Sequence, residues 1–463
     1  MESKINAGMN TNKTENPIDE LLILLSYNEL REEEKARVNE LCSTLSDWNG
    51  FYDLALFNKL VPHVYNGMLE LNVLDLVPKD VEMKLERRAT EIKQRNRDRL
   101  ETGMPVLKLF NTQKIPFVVL KGVLFAETIY HNSYYKRMND IDILVPKDRI
   151  PEIITIYELE GWLCVGERVG GNPEKQLKTS HHLPPYVHKS MKCMFGTQWG
   201  LKSPRAPYRI DYDAIWKRVR PFSFMELEAL QMSPEDNLHH ICVHLGYYKT
   251  SVRDVFDIYN LIRKYRKELD WGLFLEEVEK AGTQGPVYFA LSLANNLCPM
   301  NEMQNIINRV TSKANSFFRN GVREKTKSQA IQLRIGSHYL GEIEKAISEF
   351  NATSKFGEKI SYFFKVWKSL LWPPMEEARK INARLDSKGI DSIWIRLTSP
   401  FRLMSAIANE IGWTLLFGLM VKTVVDVILS LFTSGKSRRS IADYAREMGI
   451  DENDLQKLKD SIQ

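Results

Sequence analysis

Residues 115–145 read IPFVVLKGVLFAETIYHNSYYKRMNDIDILV, and the succession of textures inside this stretch decides the fold. Ile115 to Leu120 is a short apolar run rich in β-branched and aromatic side chains, the composition of a buried strand. Lys121-Gly122 then opens a helical stretch, VLFAETIYH. After a Tyr-rich loop, Asp140 to Val145 alternates acid and aliphatic before continuing apolar, which places Asp140 and Asp142 on one face of a second strand. A strand, a helix and a strand in so short a span predict a mixed α+β core.

Working outward, residues 151–161 return to helical spacing and 162–169 suit another strand. Residues 170–207 are rich in Gly, Pro, Lys and His and read as a loop or hairpin region. Tyr208 to Ile215 (YRIDYDAI) alternates again, so a strand is expected there with Asp211 and Asp213 on one face. Upstream, Ile18, Leu21, Leu22, Leu24 and Leu25 recur at helical spacing, and Asp47 can cap a helix starting near Trp48. Val81 to Leu100 is charged over most of its surface and reads as an exposed helix. Downstream, Ser233 with Asp236 three residues on is a capping signal, and helices follow to about Phe350. Pro373-Pro374 interrupts a later segment. The expected organisation is a lead-in over 1–17, a helical region over 18–100, a mixed α+β core over 101–225, a helical domain over 226–400 and a tail over 401–463.

The 463 residues are enough for two or three domains. With 43% hydrophobic and 27% charged residues, such a chain can bury a core without disulfides or a structural metal. The net charge of only +5 does not favour nucleic acid as a partner. The cysteines Cys42, Cys164, Cys193, Cys242 and Cys298 are scattered and form no CxxC pair, which suits a reduced cytoplasmic chain. The N-terminal residues are polar and lack the apolar core of a signal peptide.

Asp140, Asp142 and Asp211 carry the chemical expectation. Nucleotidyl transfer requires a divalent cation to neutralise a triphosphate, and Mg2+ (or Mn2+) prefers carboxylate oxygens with phosphate completing its shell. Two carboxylates two apart on one strand, with a third from a neighbouring strand, would form a compact oxygen cage. A DxD alone also suits the wet face of an exposed strand. Here it follows a strand-to-helix junction at Lys121-Gly122, where backbone amides can approach phosphate. Arg137, three residues before Asp140, would add a guanidinium near the same charge.

The run LKGVLFAETIYHNSYYKRMNDIDILV resembles the signature of the polymerase-β-like nucleotidyltransferases, and more narrowly the bacterial family of uncharacterised nucleotidyltransferases. DWNGFYDLALFNKLVPHVYNGML, HHLPPYVH, RIDYDAIW, SPEDNLHHICVHLGYYKTSVRDVFDIYNLI and LLWPPMEEARKINARL are similar to further segments of that family, so the resemblance extends over roughly residues 20–400. It implies a small mixed sheet with helices, flanked by helical regions at both ends. It also implies Asp140, Asp142 and Asp211 as ligands of two magnesium ions, and Lys121, Gly122 and Arg137 around the triphosphate. His182, His244 and Arg253, with Asp257, become a lining of the substrate cleft. One departure stands out. The family's third-acid strand reads acid-x-His-Trp, whereas Asp211-Tyr212-Asp213 has no histidine and Trp216 is displaced. Asp213 could then join the cage or act as a base.

His181, His182, His188 and Cys193 fit no standard zinc spacing, and Gly435-Lys436-Ser437 lacks the remaining features of a P-loop. Residues 411–432 (IGWTLLFGLMVKTVVDVILSLF) are long enough to span a bilayer. Lys422 and Asp426 make a true span costly, at roughly 2.5–3.5 kcal/mol each. Self-association or burial in protein, and membrane attachment helped by Lys436, Arg438 and Arg439, both remain open for this tail. The function expected is transfer of a nucleoside monophosphate from a nucleoside triphosphate to an acceptor that the sequence does not name, whether small molecule, glycan, peptide or protein. The alternative is a nucleotide-binding scaffold without turnover.

Overall fold

The structure is a computed structural model. It describes residues 16–130, 132, 136–164, 177, 180–202, 208–245 and 251–314, scattered positions from 318 to 378, and 392–411 with Phe417. Residues 1–15 of the expected lead-in, most of 411–432 and the rest of the tail lie outside these described residues. Among the described residues no helix is long and apolar enough to cross a membrane.

Four helices open the chain: α1 (Pro17–Leu24), α2 (Glu32–Thr44), α3 (Trp48–Phe57) and α4 (Val61–Glu70). Asp47 caps α3 as its sequence signal requires, accepting from Gly50 N at 2.8 Å. The charged stretch at 81–100 is not an isolated exposed helix. It belongs to α5 (Lys79–Thr112), 34 residues long, which buries Val81, Leu85, Ala89, Ile92, Asn96, Arg99 and Leu100 along one stripe. A narrow buried stripe on a long helix leaves most of its surface charged, so composition understates its burial. The boundary expected at 100/101 falls inside this helix.

A seven-stranded mixed sheet follows, in the order β3-β4-β5-β2-β1-β7-β6. Its strands are β1 (Val118–Val119), β2 (Ile141–Leu144), β3 (Trp162–Cys164), β4 (Tyr186–His188), β5 (Met194–Gln198), β6 (Arg220–Phe224) and β7 (Leu227–Gln231). Between them lie α6 (Lys121–Thr128), α7 (Ile150–Leu159) and α8 (Tyr212–Arg218). The strand–helix–strand reading of 115–145 is thus observed, and the expected hairpin region contains β4 and β5. Residues 208–215 are a correction: they form a short lead and then α8, not a strand. Tyr212, Ile215 and Trp216 fall at i, i+3 and i+4 and pack on Val118, Leu120 and Leu144, so helical spacing wins over the apparent alternation.

α5 covers the other face of the sheet, where Phe110, Phe117, Val119, Ile141, Ile143 and Phe195 join the main core. Its approach is close. A Cβ at Gly103 would press into Ile141, Cys193 and Phe195.

The helical domain comprises α9 (Pro234–His244), α10 (Val252–Lys264), α11 (Trp271–Ala281), α12 (Gln284–Leu297) and α13 (Asn301–Thr311), with α14 (Ser392–Ile411) beyond. Ser233 caps α9 through Asp236 N at 3.2 Å. Arg218 at the end of α8 grips Asp236 with two hydrogen bonds of 2.9 and 2.7 Å and reaches Glu277 at 3.0 Å. A deeper tie joins this domain to the sheet. Lys136, just ahead of β2, forms a buried ion pair with Asp257 of α10. Tyr130 OH donates to the same carboxylate at 2.9 Å, and Asn260 Nδ2 donates to Tyr130 OH at 3.1 Å and to Ser26 O at 2.9 Å.

Removing one member of a buried pair strands the other charge. Lys136→Met is therefore expected to lower unfolding free energy by about 3–5 kcal/mol, measured by urea denaturation. Lys136→Met/Asp257→Leu should recover a large part of that loss, and a double variant no better than the single one would contradict the pairing.

Candidate active site

β2 alternates as its sequence requires. Ile141 and Ile143 enter the main core, while Leu144 joins the smaller cluster on the opposite face. Asp142, and Asp140 just ahead of the strand, share the face of Leu144. Their floor is β5, which runs parallel to β2 with Gly196 paired to Asp142. A Cβ at Gly196 would overlap Asp142 Oδ1 and come within 3.9 Å of Asp140 Oδ2. Glycine at this register is what lets the Asp142 carboxylate lie over the neighbouring strand.

Lys121 faces the pair from the start of α6. Its Nζ stands 3.2 Å from Asp142 Oδ2, with both side chains about one-fifth exposed. Its backbone lies in the left-handed region at φ 38°, a conformation that non-glycine residues adopt at a cost and that clusters at ligand sites. Leu120 gives α6 no side-chain cap, so the N-cap residue leaves the first-turn amides without an acceptor of its own. Burial, and next the adjacent Asp142 charge, push the Asp140 carboxyl up to about 7 despite the opposing pull of Lys121, Arg99 and Arg253.

The basic side of the site comes from three elements. Burial, and next the like charges of Arg253, Arg88, Arg95 and Arg99, lower the Arg137 pKa to about 10. Arg253 NH1 donates to Arg137 O at 3.3 Å, and its guanidinium pairs with Asp254 at 3.3 Å. Asn96 of α5 fixes the loop between them, donating to Lys136 O at 2.7 Å and accepting from Met138 N at 3.4 Å. Lys121, Arg137, Arg253, Asp140 and Asp142 are thereby brought together.

Other expected residues lie elsewhere or have local duties. Asp211 is exposed and caps α8, accepting from Ala214 N at 3.0 Å. Asp213 is exposed in the first turn of that helix. Among the described residues no group of three or more His, Cys, Asp or Glu side chains is arranged to hold a metal ion, and the Asp211 carboxylate is engaged by its own helix. His182 bridges to Gln198 through its backbone and its Nδ1 contacts Leu183 O at 2.7 Å. His244 ends α9 with its ring 6.0 Å from that of His240. Gly122 has room for a Cβ, whose nearest neighbour would be Met138 Cγ at 3.5 Å.

Residues 44–299, more than half of the chain, match the family described as uncharacterised nucleotidyltransferase. The chain belongs to this family. No curated protein and no solved structure matches it. The strand beside the DxD strand is β5, whose Gly196 pairs with Asp142 and whose following residues Thr197-Gln198-Trp199 carry no acid. Gly196 was missed, because strand register cannot be read from spacing along one segment. Arg95 and Arg99 were also missed, since a charged helix gives no hint of where its face points.

Two measurements bear on this geometry. Gly196→Ala should displace the Asp142 carboxylate and weaken Mn2+ binding at least about tenfold, a cost near 1.4 kcal/mol, while circular dichroism stays native; unchanged Mn2+ titration would refute the steric role. Asp140 is raised when folded, so its ionisation opposes stability increasingly as pH climbs from about 4 to 7. In metal-free buffer Asp140→Asn should raise the melting temperature at pH 8, with the gain fading below pH 4.

Proposed function

We propose that the protein binds a nucleoside triphosphate at the junction of β1, α6 and β2 and transfers its nucleoside monophosphate to an acceptor, releasing pyrophosphate. The observation that carries this reading is the Asp140–Asp142 pair facing Lys121 at the uncapped start of α6, within a chain of a nucleotidyltransferase family. Asp140 and Asp142 fit a magnesium ion, which commonly takes one or two carboxylates and completes its shell with substrate phosphate. Bound there, the ion would neutralise triphosphate charge and favour attack by the acceptor oxygen.

The chain's own residues supply the rest. The first-turn amides of α6 and the Lys121 ammonium hold phosphate oxygens. A Cβ at Gly122 would meet Met138 Cγ at 3.5 Å, and its absence leaves the first-turn amides open to a phosphate. Arg137 and Arg253 balance charge that builds on the leaving group. In the reaction the acceptor oxygen bonds to the α-phosphorus and the α–β anhydride bond breaks. Pyrophosphate leaves with the electron pair, and the acceptor proton passes to water or to a carboxylate of the site.

A second reading has its own observation. Gly196 occupies the register position from which a neighbouring strand would offer a third carboxylate. A site with two carboxylates can bind a nucleotide–cation complex without turning it over. A screen of labelled nucleoside triphosphates for pyrophosphate release separates the readings. Asp140→Ala or Asp142→Ala should abolish release with folding intact, and near wild-type turnover in either variant would end the catalytic assignment. Asp211→Asn keeps a competent helix cap and is expected to keep turnover; its loss would restore Asp211 to the metal site.

A further inference from the structure

Arg88, Arg95 and Arg99 are spaced i, i+7 and i+11 on α5, so they form one stripe about 16 Å long at helical rise. Arg99, at one end of the stripe, feels the charge of Asp140, and Arg137 feels the charges of all three arginines. This is a concentration of guanidinium groups with few counter-charges. Arg88 NH1 is held by Glu91 at 2.8 Å, but its buried Nε has no hydrogen-bond partner among the described residues. Arg99 is 8% exposed; among the described residues it bonds only to Asn96 Oδ1 at 3.4 Å, and its buried Nε also has no partner there. No ion pair joins the Arg95 or Arg137 side chain to a described carboxylate.

Desolvated like charges are costly unless an anion offsets them, and planar guanidinium groups match phosphate oxygens in pairs. We infer that the α5 arginines, with Arg137, form a polyphosphate-binding rail that receives the outer phosphates of a nucleoside triphosphate held at Lys121 and Asp142. The inference rests on the nucleotide-binding part of the proposed function and holds with or without turnover. The rail begins near the carboxylate pair and runs along the part of α5 before residue 101, which the sequence alone places outside the core. Its specificity is for the phosphate chain, with no role in choosing the base.

Inorganic tripolyphosphate, titrated calorimetrically without metal, is the probe. The wild-type protein should bind it, and Arg95→Gln, on the exposed part of the stripe, should weaken it about tenfold. Arg95→Gln should weaken Mg2+–ATP comparably and leave AMP unchanged, with tripolyphosphate and ATP competing. Arg99→Gln, checked for a native melting curve, should show the same pattern. The rail is overturned if wild type does not bind tripolyphosphate, or if folded Arg95→Gln and Arg99→Gln bind it as tightly as wild type. It is overturned as a triphosphate site if ATP and tripolyphosphate bind together and ATP affinity ignores both substitutions, since the anion would then belong to the acceptor. Arginine-dependent binding without pyrophosphate release from any triphosphate would instead sink the transfer reaction and leave the rail standing.

Discussion

The buried pair between Lys136 and Asp257 is the constraint on which the geometry of the site depends. Neither charge could lie in that interior alone, because desolvation would neutralise it or expel it. Together they pin the residues just before β2 to α10. Arg137 and Met138 follow Lys136 directly, and Asn96 of α5 holds the same loop by its backbone. Arg253 lies one helical turn before Asp257 on α10, so the interaction that fixes Asp257 also aims Arg253 at Arg137. Three parts of the chain, far apart in sequence, converge through one ion pair and one asparagine.

Charge at the site is sharply divided. Asp140 and Asp142 crowd one another on the sheet face, and burial outweighs the nearby cations in holding the Asp140 proton. A short distance away, guanidinium groups crowd each other until burial and mutual repulsion depress even an arginine. Neither half is at ease without a partner of opposite sign. The cation–polyphosphate ligand proposed for this surface carries both signs.

Elements governed by short-range rules were legible in the sequence. The strand at 141–144 follows from period-two alternation, the helix at 121 from the change of texture, and the caps at Asp47 and Ser233 from side chains that reach only three residues. Residues 208–215 satisfied two periodicities at once. Only the apolar surface presented by Val118, Leu120 and Leu144 decided for the helix, by accepting Tyr212, Ile215 and Trp216. The burial of α5 was equally obscured, because a helix can enter the core along a stripe while most of its residues remain charged.

By itself, the sequence determined the carboxylate pair, its common face and the cation that precedes it, since spacing along one strand and one helix turn fixes those relations. Tertiary structure decided what surrounds them. Strand register put glycine, not an acid, against Asp142. Helix packing turned the arginines of α5 toward Arg137, and capping geometry turned Asp211 to its own helix. The physical reason is range. Alternation and capping act over a few bonds of one chain, whereas register and helix orientation are set by burying side chains from segments that the sequence keeps apart.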